Sequence, residues 1–384
     1  MIPYGRQWIN DDDIDAVIEV LRSDWLTQGP SIAAFEASVA SRVGAKHAVA
    51  VSSGTAALHL AVLAAGVGPG DVVWTSPITF VASANCALYA GASVGFVDIE
   101  PDTALIDAEQ LEFKLAVAAE TGVLPKAIVV VHLAGQPCDM ARIGAAASRY
   151  GVAVIEDAAH AIGGSYAGAP VGACEYSDMT TFSFHPVKVV TTGEGGMITT
   201  NDDLLAEKLR LGRTHGITRD PSLMTREPDG PWYYEQVSLG YNYRITDFQC
   251  ALGISQMRRL DEFLARRAEL ATRYDEMLVD LPVSPLVQRD GRTSGWHLYV
   301  INLQPGTHRS RREVFDALRA AGIGVNVHYI PVHLQPYYRA LGFEVGDFPV
   351  AEAYYDSAIT LPLYPAMSEA DQDAVVAALR EALS

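Results

Sequence analysis

Basic residues are scarce in this chain. Lysine and arginine number 28 against 46 aspartates and glutamates, a formal net charge of −18, and only five of the 384 residues are lysine. A field so negative argues against nucleic acid or an anionic membrane as a general partner. It leaves room for a phosphorylated small molecule, because one local cluster of donors can outweigh a distant field. The one dense basic run, His308-Arg309-Ser310-Arg311-Arg312, reads as the solvated start of a helix. Cysteine is sparse as well. Cys86, Cys138, Cys174 and Cys250 are widely spaced and form no CxxC pair, so neither zinc nor any other metal is expected, and free thiols in a reducing cytoplasm fit best. No run of about 18 apolar residues occurs, so a membrane-spanning helix is not expected. Met1-Ile2-Pro3-Tyr4-Gly5-Arg6 leads straight into an acidic helix and does not read as a signal peptide. Internal repeats and low-complexity segments are also missing.

What is present is a hydrophobic content of 49% over 384 residues, enough for a large core and roughly two domains. The first helix begins after Asn10, with Asp11 to Asp13 at its positive end and Ile14, Val17, Ile18 and Leu21 at helical spacing. A second helix is expected over 32–43. Short apolar runs then alternate with alanine-rich stretches. Strands are expected at 47–51, 72–74, 93–97, 127–131, 152–156, 179–184 and 196–199, with helices at 55–64, 80–90, 108–119 and 140–149. Continuous apolar strands separated by helices imply a mainly parallel sheet covered on both faces. No helix fits between the last two strands, so one of them is free to run antiparallel. The stretch 218–243 is rich in Pro, Gly, Asp and aromatics and reads as a long functional or subunit-contacting excursion. A long helix is expected over 246–274. The pattern then changes to α+β, with strands at 296–303 and near 325–329 and helices at 311–321 and 369–383. This divides the α/β chain into a large part, 1–250 with an N-terminal arm, and a smaller C-terminal α+β part, 251–384.

Four segments carry residues with chemical potential. The strand at 47–51 runs into Ser52-Ser53-Gly54-Thr55-Ala56-Ala57-Leu58. This turn offers free amides and hydroxyls to an anion, or simply caps a helix through Ser53 or Thr55. Asp157 ends an apolar strand, where the ligand crevice of open α/β sheets lies. A carboxylate there is either a helix cap or the partner of a cation. His160 follows it, as a core histidine or a donor to an anionic oxygen. Phe80 can fill the core or stack on a ring. Ser183 can add a hydroxyl to an anion site. Lys188 ends Ser183-Phe184-His185-Pro186-Val187-Lys188 among apolar and small residues. It is either a snorkelling lysine at a strand end or a desolvated amine that becomes nucleophilic toward carbonyls. Together the set has the parts needed to hold pyridoxal 5′-phosphate: an anion cradle, an acid for the ring nitrogen, an aromatic plate and an unhydrated lysine.

The ordered motifs Ser53-Gly54-Thr55-Ala56-Ala57-Leu58, Thr79-Phe80, Glu156-Asp157-Ala158-Ala159-His160, Ser183-Phe184-His185-Pro186-Val187-Lys188 and Gly240-Tyr241-Asn242-Tyr243-Arg244 resemble those of the DegT/DnrJ/StrS sugar aminotransferases over nearly the whole chain. The resemblance implies a PLP-dependent transferase of fold type I, like aspartate aminotransferase, with a large mainly parallel seven-stranded sheet, working as a homodimer. It further implies that Lys188 is the catalytic lysine, Asp157 the ring-nitrogen partner and Phe80 the stacking aromatic. Gly54, Thr55 and Ser183 match the phosphate site, and Asn242 matches the residue that reaches the phosphate of the neighbouring subunit. Histidine at 160 departs from the glutamine common in the family. Lys188 separates the chain from the dehydratase branch, which has histidine there. The segments Leu26-Thr27-Gln28-Gly29, Thr214-His215-Gly216-Ile217 and Val327-His328-Tyr329-Ile330-Pro331 look like the pseudaminic acid branch. That branch aminates C4 of a UDP-linked 4-keto-6-deoxy N-acetylated sugar with L-glutamate as donor. By the same resemblance Tyr4, Arg6, Thr27, His328 and Tyr329 are candidate contacts for the nucleotide sugar. Other PLP chemistry, another keto-sugar, or a non-catalytic PLP- or sugar-binding regulator remain open at this point.

Overall fold

The computed structural model describes residues Met1–Ser384. Its centre is a seven-stranded sheet. In chain order the strands are β1 (His47–Val51), β2 (Val72–Thr75), β3 (Ser93–Phe96), β4 (Ala127–Val131), β5 (Ala153–Asp157), β6 (Met179–Ser183) and β7 (Gly196–Thr200), arranged β1-β7-β6-β5-β4-β2-β3. All neighbours pair in parallel except β7, which runs antiparallel to both β1 and β6. β4 is buried at every residue, which explains its unbroken Ala-Ile-Val-Val-Val run: a strand covered on both faces has no polar side to show. Register aligns the strand ends that matter. Asp157 sits opposite Val131 and Thr181, and Gly196 opposite Ser183 and Val51.

Helices cover both faces. The first two are α1 (Asp11–Leu21) and α2 (Pro30–Val43); α1 starts with a reciprocal cap between Asn10 and Asp13, each backbone N–H donating to the other's side chain at 3.1 Å. Its expected apolar stripe is not buried. Ile14 and Leu21 are 49% and 55% exposed, while Asp13 is fully buried, accepting from Gln256 at 2.7 Å and pairing with Arg259 at 3.4 Å. Helix spacing shows where a stripe lies; here its ends, Ile14 and Leu21, face solvent while Val17 and Ile18 are half-buried. The helix expected over 246–274 is two, Asp247–Arg258 and Leu260–Met277. No proline or glycine marks the break. Arg259 leaves helical geometry (φ −102°, ψ 5°) with its guanidinium over the rings of Trp8 and Phe263, 4.7 Å from each.

Beyond these helices the chain builds a second, antiparallel sheet from 283–285, 299–303 and 358–361, packed with the C-terminal helix Glu369–Leu383 around its own apolar cluster. The segment 325–329 is not a strand. It meets the sheet through the Asn326–Thr360 bridge and through His328 on the Thr360 hydroxyl, and the Asn326 side chain accepts from Val327 N–H at 2.9 Å. This turns His328 and Tyr329 toward the large sheet. All four cysteines are free, and no helix is long and apolar enough to cross a membrane.

Candidate active site

A cavity of about 450 Å³ opens at the carboxyl ends of β5 and β6 and is closed on its far side by 326–329. Lys188 lines it from the turn after β6, its backbone N–H bonded to His185 O at 2.9 Å. Burial lowers its pKa to about 8, against the opposing pull of Asp157. The neutral, nucleophilic amine is therefore far more populated near neutral pH than in an ordinary lysine.

Asp157 ends β5 at 7% exposure. Its Oδ2 accepts from the Ser83 hydroxyl at 2.6 Å and its Oδ1 from Ala159 N–H at 3.1 Å. Ser83 in turn meets Thr79 Oγ1 at 2.7 Å. The carboxylate is thus held by neutral donors, with no cation bonded to it within the chain, which is how a site awaiting a positively charged nitrogen is built. The cap reading and the site reading of Asp157 are compatible: one oxygen closes the turn and the other is fixed by Ser83.

At the cradle, helix α3 (Gly54–Ala64) is capped by Ser53, whose hydroxyl accepts from Ala56 N–H at 3.1 Å. The amides of Gly54 and Thr55 precede any intrahelical acceptor and face the cavity mouth. Glycine is needed at 54, since a Cβ there would lie 2.8 Å from that of Ser183. This close approach sets Ser183 against the start of the helix, where Thr55 also lines the cavity. The donor set suits a phosphate.

The opposite wall is aromatic and neutral. Ala134 N–H donates to His160 Nδ1 at 3.2 Å, so that nitrogen carries a lone pair, and Nε2 meets the Tyr329 hydroxyl at 3.2 Å. Asn326 Nδ2 donates to His328 Nε2 at 3.4 Å, and His328 Nδ1 then donates to Thr360 at 2.8 Å. Burial and the Lys188 charge hold His160 well below the ordinary imidazole range and lower His328 to about 3. Tyr4 stands 5.5 Å from His328 and Phe80 6.2 Å from Tyr329, ring to ring. Phe80 is 58% exposed, free to present a face to the cavity.

Of the residues singled out in the sequence, Tyr4, Gly54, Thr55, Phe80, Asp157, His160, Ser183, Lys188, His328 and Tyr329 all line this cavity. Arg6, Thr27 and Asn242 do not. Arg6 is exposed, Thr27 is bridged to Thr246, and Asn242 is exposed and bridged to Thr214. Sequence reasoning missed Ser83, His297, Asn326 and Glu194. Thr79 lies in the bend before the helix Ala82–Tyr89 and Ser83 in its first turn, so no periodic pattern flags their support of Asp157. His297 lines the cavity 4.5 Å from the His160 ring, with Nδ1 buried and unpartnered. A lone histidine before a strand gives no such warning. The thiols take no part. Cys138 is buried and donates to Val131 O at 3.2 Å, and burial pushes Cys174 up to about 11.

A lysine of lowered pKa and a buried carboxylate lining one cavity with helix-start residues and hydroxyls are the equipment of a group-transfer enzyme that borrows a carbonyl cofactor. The chain belongs to the DegT/DnrJ/EryC1/StrS aminotransferase family, whose pattern spans residues 7–380. It is 44% identical to the spore coat polysaccharide biosynthesis protein SpsC of Bacillus subtilis, over 99% of this chain and 96% of that protein. Two solved structures are similar throughout. The putative sugar aminotransferase Spr1654 from Streptococcus pneumoniae, in its PMP form, has a TM-score of 0.91 at 30% identity, covering 100% of this chain and 99% of that one. PseC of Helicobacter pylori, an aminotransferase involved in pseudaminic acid biosynthesis, has a TM-score of 0.90 at 30% identity with the same coverage.

Proposed function

We propose that this enzyme transfers an amino group from L-glutamate to C4 of a nucleotide-linked 4-keto-6-deoxy sugar, with the UDP-linked 2-acetamido-2,6-dideoxy-β-L-arabino-hexos-4-ulose of the pseudaminic acid pathway as its substrate. A sugar aminotransferase is the class to which the family and the solved neighbours belong. The choice of sugar is supported by the similarity to PseC and by Val327-His328-Tyr329-Ile330-Pro331. The greater identity to SpsC favours, as a second reading, a different keto-sugar destined for a surface polysaccharide.

The cofactor is pyridoxal 5′-phosphate, which when bound supplies an electron sink for the amino group in transit. Asp157 Oδ holds the ring nitrogen cationic. The amides of Gly54 and Thr55 and the hydroxyl of Ser183 bind the phosphate. Phe80 would cover a face of the ring, and His160, whose Nε2 meets the Tyr329 hydroxyl, would stand by the phenolic oxygen. Lys188 Nζ would be the group that holds the cofactor's carbonyl carbon and the base that carries a proton to and from the amine-bearing carbon. His328, Tyr329 and Tyr4 exclude water and orient the sugar, with Arg6 and Thr27 at its approach.

The same reading takes the working unit as a cytoplasmic homodimer with Asn242 completing the neighbour's phosphate site. The exposed Trp25, Leu26, Trp232 and Leu239 favour a covering partner. It also divides the chain into a cofactor-holding part, 1–250, and a C-terminal part, 251–384, that closes over it.

The observation that carries this is the lowered pKa of Lys188 in one cavity with Asp157. Borohydride reduction of the holoenzyme followed by peptide mapping should leave the reduced adduct on Lys188, and an adduct elsewhere ends the reading. Glutamate alone should yield 2-oxoglutarate in a half-reaction. A panel of nucleotide 4-keto-sugars, with mass spectrometry of the aminated product, separates the two sugar readings.

A further inference from the structure

Behind the phosphate cradle lies a cluster that the reaction described above does not use. His59 stands on the buried side of α3 at 4% exposure. Its Nδ1 meets the Tyr243 hydroxyl at 3.1 Å, and its Nε2 is buried without a hydrogen-bond partner. The imidazole packs 4.9 Å from Tyr241, 5.5 Å from Tyr89 and 5.9 Å from Tyr243, and the two flanking tyrosines stack on each other at 5.0 Å and 12°. Burial lowers the His59 pKa, so the ring is held neutral. A fully buried imidazole with one unmet nitrogen is a cost unless its other contacts are wanted.

What those contacts fix is the backbone on either side of Asn242. Tyr241 N–H donates to Gly212 O at 2.7 Å and Tyr243 N–H to Arg213 O at 3.1 Å, while Ser52 N–H, just before the cradle, donates to Tyr243 O at 2.8 Å. Extended chain sends successive side chains to opposite sides. With Tyr241 and Tyr243 turned onto His59, Asn242 faces outward, and it is exposed. One helix therefore serves two places: its first turn gives the cradle of its own site, and its middle pins the segment that presents Asn242.

We propose that His59 and Tyr243 are positioning residues that hold Asn242 in the orientation needed to complete the cofactor site of the second copy of this chain. The proposal rests on the reading of Asn242 given above. The test is a mutant cycle on the holo dimer, with PLP dissociation measured by absorbance and assembly by sedimentation. Asn242→Ala should weaken PLP binding. Tyr243→Phe should weaken it about fivefold to tenfold, the scale of one hydrogen bond. His59→Phe, which keeps the ring, should match Tyr243→Phe. The combined Asn242→Ala/Tyr243→Phe variant should be no weaker than Asn242→Ala alone. If Asn242→Ala leaves binding unchanged, the reading of Asn242 falls and the proposal with it. If Asn242→Ala weakens binding while Tyr243→Phe does not, or the two effects add in full, the proposal fails and the reading of Asn242 stands. Loss of assembly in Tyr243→Phe would equally overturn it, since the phenol would then serve the subunit contact rather than the cofactor.

Discussion

On the sheet side of the cavity, charge and free donors are concentrated: Lys188, the Asp157 carboxylate held by Ser83 and Ala159, and the open amides of α3. On the opposite side, His297, His328 and Tyr329 from the C-terminal part, joined by His160 from the turn after β5, are all kept neutral by burial. The first wall sits on strand ends in fixed register, and the second on a turn held by Asn326 and Thr360. The difference implies a division of labour: the sheet governs charge and proton movement, and the C-terminal segment governs dryness and fit.

Substitutions can break that comparison. The largest effect is expected at Lys188, where Lys188→Ala should lower kcat about 10²–10⁴-fold or more, read by steady-state assay with the sugar acceptor. Asp157→Asn should lower kcat about 10²-fold and shift the pH midpoint of PLP capture by the apo enzyme below about 8, because the carboxylate props up the Lys188 pKa. Gly54→Ala should destabilise the fold by about 1–3 kcal/mol in urea melts, as the added carbon meets Ser183. Lys188→Met in the apo protein tests the electrostatics with a defined sign. The folded-state pKa, about 8, lies below the ordinary 10.5, so the unfolded chain binds the proton more tightly. The penalty is whole below pH 8 and fades as pH rises toward 10.5. The variant should accordingly gain roughly 1–3 kcal/mol at pH 7 and lose that advantage through this window. The smallest effect belongs to the other wall: His328→Gln should change KM for the sugar a few-fold, the scale of one lost hydrogen bond, with little change in the glutamate half-reaction. A loss in that half-reaction as large as that of Asp157→Asn would erase the distinction between the walls.

The sheet was legible because its signal is dense. β1 and β4 fall on the residues expected, since their apolar runs admit one reading. Asp157 was legible as a cavity residue through its place at the end of β5, and Lys188 through its apolar and small neighbours. The split at Arg259 was not, because no proline or glycine marks it, and the Trp8 ring against which Arg259 packs is distant in sequence. The same holds for 325–329, whose β-branched and aromatic residues suit a strand until Asn326 turns the chain, and for Asp13, polar in type yet buried by Gln256 and Arg259. Arg6, Thr27 and Asn242 lie outside the cavity of a single chain, and no pattern of residues states which copy a side chain serves.

The reversed direction of β7 bears on where the lysine can be. Had β7 followed its neighbours, the chain leaving β6 would have had to cross to the far edge of the sheet before re-entering, and most of the connection would have lain away from the crevice. Because it doubles back, the whole of 184–195 stays at one edge, and the amine never leaves the rim on which the acid and the cradle stand. A single change of strand polarity thus does for Lys188 what no local motif could.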